Sequence, residues 1–132
     1  MNILVGFDGS EPAKIALRVA QKHALAFNSD LDVVTVVVRH TADQSEEISK
    51  AEKALDLIQD DCKKKGISCR TKLLIRETDA GETLVEYAAK KAYEELIIGV
   101  KKRSRVEKLL LGSNAQYIIL NAPCPVLSVR EA

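Results

Sequence analysis

Residues 96–130, LIIGVKKRSRVEKLLLGSNAQYIILNAPCPVLSVR, pass from an apolar run (96–100) through a basic segment to Gly112-Ser113. A helix-patterned stretch (113–121), a proline-marked break and a second apolar run (126–130) follow. Strand, loop, helix and strand in that order make a parallel crossover. A loop that leaves the carboxyl end of such a strand and enters a helix presents unpaired backbone N–H groups backed by the positive pole of the helix. The segment is therefore a candidate anion site. Gly112 lets a ligand approach the backbone, and Ser113 either caps the helix or donates to an anionic oxygen. A plain capped helix start explains the same two residues, and the local pattern supports both readings equally.

Upstream the same alternation repeats. Residues 2–7 read as a strand that ends at Asp8-Gly9-Ser10, where Ser10 is a candidate helix cap and Pro12 lies in the first turn. Ala13, Ala16, Leu17, Ala20, Ala24 and Phe27 recur at helical spacing. The valine-rich run 31–38 predicts a strand covered on both faces. Ile48, Ala51, Leu55, Ile58 and Cys62 mark a second helix that stops at Lys63-Lys64-Lys65-Gly66. Residues 69–75 alternate in character and predict a strand near the sheet edge. A third helix is predicted over 81–93, with Leu84, Val85, Ala88, Ala89 and Ala92 facing inward. Five strands separated by four helices define an α/β fold, a five-stranded parallel open sheet of Rossmann-like form with helices on both faces. Ligands in such sheets bind at the carboxyl ends of the strands where strand order reverses, which directs attention to Asp8 and to the loop after the fourth strand.

The chain has 132 residues, the size of one domain spanning 1–132, and its 46% hydrophobic and 30% charged residues are a globular composition. Twenty basic against nineteen acidic side chains leave a net charge of +1, so no global field attracts nucleic acid or an anionic membrane. With no Trp, two Phe and three Tyr, stacking on single-stranded nucleic acid has little support. No apolar stretch approaches the roughly 20 residues of a membrane span, and the chain runs directly into a strand, which predicts a soluble cytoplasmic protein. Cys62, Cys69 and Cys124 are odd in number and form no C-x-x-C pair; they read as small buried apolar residues in a reducing compartment.

Catalytic patterns are missing. His23 and His40 have no partners at metal-ligand spacing, G-x-S-x-G is absent, and neither a Walker lysine loop nor G-x-G-x-x-G follows the first strand. Asp8, at the tip of a central strand, either accepts hydrogen bonds from ribose hydroxyls or braces the turn at Gly9-Ser10. Lys101, Lys102, Arg103, Arg105 and Lys108, against the single acid Glu107, place basic charge on the predicted ligand edge.

With these residues in view, the chain resembles the universal stress protein family over nearly its whole length. ILVGFDGSEPAKIAL at 3–17 is similar to the family's first strand and turn, and LIIGV, LLLGS and APCPVLSVR are similar to its closing half. The resemblance implies a Rossmann-like domain of the adenine nucleotide alpha hydrolase-like kind, commonly a homodimer through the last strand, here residues Val126 to Arg130. For the nucleotide-binding branch it implies an ATP site, with Mg or Mn as companion ion, built on a G-x2-G-x9-G-[ST] loop. Gly99 matches the first glycine, and Gly112 with Ser113 matches the last pair. Lys102 stands where the middle glycine belongs. The resemblance further implies that Asp8 contacts base and ribose, Val36 adenine through its backbone, and Ile98 and Asn114 line the site. Another branch lacks the glycine motif and does not bind ATP in the same way. Lys102 is read as supplying an ammonium group in place of the backbone cradle; the opposing reading has it close the pocket. The leading expectation is a regulatory ATP-binding homodimer without a dedicated catalytic base. Its rival is a nucleotide-free protein that acts through contact with a protein partner, and a nucleotide-dependent transferase or synthetase is disfavoured by the missing catalytic histidine.

Overall fold

Alternating apolar residues along the strands and a single apolar stripe on each helix account for the layers of the structure, a computed structural model that describes residues 1–40, 42–101 and 111–131. The elements are β1 (Asn2–Gly6), α1 (Glu11–Phe27), β2 (Asp30–Val38), α2 (Ser45–Lys64), β3 (Cys69–Arg76), α3 (Ala80–Ala88), β4 (Glu95–Gly99), α4 (Ser113–Asn121) and β5 (Val126–Val129). The strands form one parallel sheet, as the alternation predicts, and their order is β3-β2-β1-β4-β5. β3 is an edge strand, also as expected.

Central β1 has neighbours on both sides and helices on both faces, so Ile3, Leu4 and Val5 are at most 1% exposed. Residue alternation divides the core. Ile3, Val5, Leu31, Val33 and Ile97 face α1 and α2, while Leu4, Val34, Leu96 and Ile98 face α3 and α4. Ala13, Ala16, Ala20 and Ala24 form the inner face of α1; their small side chains bring that helix close to the sheet. Ser10 caps α1, its Oγ accepting from the Ala13 N–H at 3.2 Å, and Gly66 takes φ +74° in the turn after α2.

The third helix departs from expectation. α3 ends at Ala88 rather than Tyr93, and Ala89 and Ala92, predicted to face inward, are exposed. The cause lies in β2, where Asp32 sits on a covered face at 3% exposure. A buried carboxylate needs donors. Tyr93 supplies one from its hydroxyl at 2.7 Å, Lys91 approaches at 2.6 Å and Arg70 Nε at 3.0 Å. Leaving the helix after Ala88 lets both Lys91 and Tyr93 reach it. Cys62 and Cys69 are buried as expected, whereas Cys124 is only partly covered. Among the described residues no helix is long and apolar enough to cross a membrane.

Burial pushes the Asp32 carboxyl up, but hydrogen bonds from Lys91, Tyr93 and Arg70 outweigh it and hold the group below its ordinary value. The unfolded chain therefore takes up this proton first as pH falls. The stability that Asp32 contributes is complete above the unfolded value of about 3.9 and is lost as pH drops through the lower folded value. Asp32→Asn is expected to cost about 1–3 kcal/mol at neutral pH, toward the low end because Arg70 and Lys91 retain solvent. Urea unfolding of both proteins at neutral and at strongly acidic pH checks this: the gap narrows in acid, whereas an unchanged gap assigns the cost to packing alone.

Candidate functional site

Strand order reverses between β1 and β4, with α1 on one side of the sheet and α4 on the other. The carboxyl ends of the two strands border a cleft at this reversal. It has two chambers. The inner, of about 130 Å³, is walled by Val34, Val36, Leu84, Ile98 and Ile118 and closed by Gly81 and Asn114. The outer, of about 430 Å³, is lined by Asp8, Ser10, Gly99, Val100, Lys101, Gly112 and Ala115. Asp8, Gly99 and Ala115 line both and mark the passage between them. The volumes suit a small molecule with an apolar head and a polar tail.

Gly99 is where the architecture and the cleft meet. A Cβ there would lie 2.3 Å from the carbonyl carbon of Pro12 and 2.5 Å from the Ala13 nitrogen, so only a glycine lets the first turn of α1 rest on the tip of β4. Asp8 braces the turn, its Oδ1 accepting from the Ser10 N–H at 3.0 Å and from Ser10 Oγ at 2.5 Å. The carboxylate, braced in this way, is exposed and borders both chambers. Thr35 ties β1 to β2 just beneath by donating from Oγ1 to the Phe7 carbonyl at 2.7 Å.

Val36 and Ile98 lie on the apolar wall, and Gly112 lies on the outer chamber with nothing within 4 Å of where a Cβ would stand. Ser113 differs from its reading as a cap: Gly112 is the N-cap of α4, and Ser113 is an exposed first residue outside the lining of both chambers. A glycine cap offers the first-turn amides no side-chain acceptor, and the start of α4 stands beside the outer chamber. Asn114, expected to line the site, does so at the inner chamber, where its Oδ1 accepts from the Gly81 N–H at 2.9 Å. Lys102 and the basic residues 103, 105 and 108 lie outside the described residues.

Gly81 escaped the sequence reading, although a glycine opening a helix is a signal of close approach. A Cβ on it would stand 2.9 Å from the Asn114 carbonyl oxygen. His23 and His40 are remote from the cleft: His23 Nδ1 pairs with Glu95 Oε1 at 2.5 Å, and His40 is exposed beside Gln44. Among the described residues, no group of three or more His, Cys, Asp or Glu side chains is arranged to hold a metal ion. A divalent cation here would come with the phosphates of a ligand, as Mg²⁺ does where the protein offers no cage of its own.

A parallel α/β domain with a bipartite cleft at its switch point is the architecture of a small-molecule-binding protein. Residues 1–130 match the model of the universal stress protein family, and the chain belongs to that family. A universal stress protein of Thermus aquaticus is 30% identical, with 97% of each chain covered. A universal stress protein structure from Archaeoglobus fulgidus superposes with a TM-score of 0.83 at 26% identity, covering 98% of this chain and 93% of that one. A structure from the same organism in complex with dAMP gives a TM-score of 0.79 at 25% identity, covering 98% and 97%.

Gly99→Ala is expected to destabilise by about 1–3 kcal/mol, because the methyl group meets backbone rather than a yielding side chain. Gly112→Ala, facing open space, should cost less than about 0.5 kcal/mol. Thermal unfolding of the two variants compares them; equal costs would show that α1 does not depend on the close approach.

Proposed function

We propose that the cleft binds an adenine nucleotide, ATP with Mg²⁺ or Mn²⁺, as a regulatory ligand, in a cytoplasmic homodimer. The observation that carries this reading is the joining of an apolar chamber to a polar one at Asp8 and Gly99. The base would occupy the chamber walled by Val36 and Ile98, Asp8 would meet the ribose, and Gly99, Gly112 and the start of α4 would face the phosphates, with Ser113 and Lys102 nearby along the chain. The related protein solved with dAMP supports the ligand class. Asp8 is the one carboxylate on either chamber among the described residues, and it already accepts from Ser10, so binding rather than hydrolysis is the favoured activity.

Calorimetric titration of ATP and adenosine, each at two salt concentrations, tests the site. ATP should bind, and Lys102→Gly should weaken it and lessen its salt dependence while leaving adenosine unchanged. Tighter ATP binding by the variant would show that the lysine closes the pocket. No binding of either ligand by the native protein overturns the proposal in favour of a nucleotide-free protein acting through a protein partner.

The dimer reading draws on the outer edge of β5. Pro125 and Val129 carbonyls accept from Leu96 and Val100 of the β4 side, at 2.9 and 2.7 Å, so alternation turns the N–H groups of Val126 and Ser128 outward. Ile119 and Leu120 of α4 are also exposed, at 43% and 81%, and Val126, Leu127 and Val129 are only partly covered. Pairing this edge with its copy about a two-fold axis would satisfy both. Ser128→Pro removes an outward donor while keeping the β4–β5 ladder, and should shift sedimentation from dimer to monomer at micromolar concentration. A native protein that sediments as a monomer refutes the pairing.

A further inference from the structure

The edge strand β3 turns Cys69 and Leu73 toward the α1 and α2 side of the sheet and Leu74 toward α3, so alternation places Arg70, Lys72 and Arg76 on the α3 side as well. Neighbours in this row stand roughly 7 Å apart. α3 packs chiefly on β2 and α4 and stops at Ala88, and a groove of about 320 Å³ remains between its end and β3. Arg70, Lys72 and Lys91 line the groove against the single carboxylate of Asp32, with Tyr87 as a wall and Lys90 Nζ 5.6 Å from the centre of that ring. Apart from Val34, none of its lining residues borders the cleft.

Two of these cations are held in place. Asp32, with 5% of its side chain exposed, engages Arg70 through Nε at 3.0 Å and Lys91 at 2.6 Å. Because Asp32 takes Nε, the two terminal nitrogens of the guanidinium are left over, and the Arg70 side chain is 64% exposed. Among the described residues neither those nitrogens nor Lys72 has an acidic partner. Charge placed on an edge strand only to repel other strands needs no such fixing. The groove thus presents positioned donors and an excess of positive charge.

The backbone beside the groove is open over the middle of the strand. The Ser68 and Arg76 carbonyls accept from Leu31 and Arg39, so alternation turns the even-numbered residues toward β2 and the N–H and C=O groups of Cys69, Thr71, Leu73 and Ile75 outward. Gln59 Nε2 donates to the Cys69 carbonyl at 2.6 Å and Arg76 Nη1 to that of Ile75 at 2.9 Å. Among the described residues the outward groups of Thr71 and Leu73 have no such cover. A second copy laid edge to edge would set Arg70, Lys72 and Arg76 against their own kind, whereas an acidic strand meets complementary charge. We propose that the open edge of β3 and the basic groove beside it dock an acidic, extended segment of a partner protein. The segment adds to the sheet as a further strand, bonding to the backbone at Thr71 and Leu73 and setting alternate carboxylates against Arg70, Lys72 and Lys91.

The probe is a short peptide, blocked at both ends, that alternates glutamate with valine. Fluorescence anisotropy at two salt concentrations should show binding to the native chain that weakens with salt, and hydrogen exchange at the Thr71, Leu73 and Ile75 amides should slow in the complex. Lys72→Glu should weaken binding about fivefold or more. Thr71→Pro removes an outward donor, keeps the ladder to β2 and should abolish the protection of Leu73 and Ile75. Lys53→Glu, on the exposed side of α2, should change neither readout. Failure of the peptide to bind at low salt, or binding that leaves the β3 amides unprotected, overturns the proposal. So does self-association of the native chain that Thr71→Pro abolishes, which would give the edge to a second copy. If Thr71→Pro does not fold, the exchange pattern of the native complex and the Lys72→Glu titration decide the matter without it.

Discussion

The first turn of α1 rests on the bare backbone of Gly99, and the rest of the cleft depends on that contact. It sets how near α1 stands to β4, hence how Asp8 and Ser10 stand toward the outer chamber. The alanine face of α1 continues the same principle down the sheet. A helix seated by small residues gains less from each buried group than one seated by leucines, and it relies on many close contacts instead. The bulk missing from α1 is supplied from below by Ile3, Val5, Leu31, Val33 and Ile97 of the sheet.

Among the described residues the buried Asp32 and Gln21 are each answered by several partners, while the buried Ser29 Oγ has none. Asp32 gathers Arg70, Lys91 and Tyr93 from β3 and from the segment after α3, while Gln21 joins α1 to the end of α2 through Asp61, Cys62 and Lys65. Both clusters lie away from the cleft. They fix the path of the chain where a hydrophobic surface alone would permit several.

Strand and helix alternation, the Ser10 cap, the turn at Gly66 and the edge position of β3 were all legible because each is written in neighbouring residues. The residues that border the cleft were partly legible for a related reason: Asp8, Gly99 and Gly112 stand at element ends, where turn chemistry marks them. What was not legible depends on distant partners. Asp32 passed unremarked within the valine-rich strand, and nothing near it announced Tyr93, 61 residues on, whose bond to it accompanies the early end of α3. Ser113 and Asn114 carried signals for capping and for ligand contact, yet the first is exposed and the second is engaged by Gly81.

The bond between Asn114 and Gly81 has a further consequence for the cleft. Two helices start beside it, and each start carries roughly half a positive charge in its unpaired amides. At the inner chamber an amide of α3 is already committed to a neighbouring carboxamide, whereas the N-cap of α4 beside the outer chamber is a glycine with no side chain to offer. The start of α4 therefore favours an anion at the mouth, while the Asp8 carboxylate at the passage disfavours one further in. Such a cavity has an orientation of its own: a molecule with an uncharged ring at one end and an anionic tail at the other is matched to it in one direction and mismatched in the reverse.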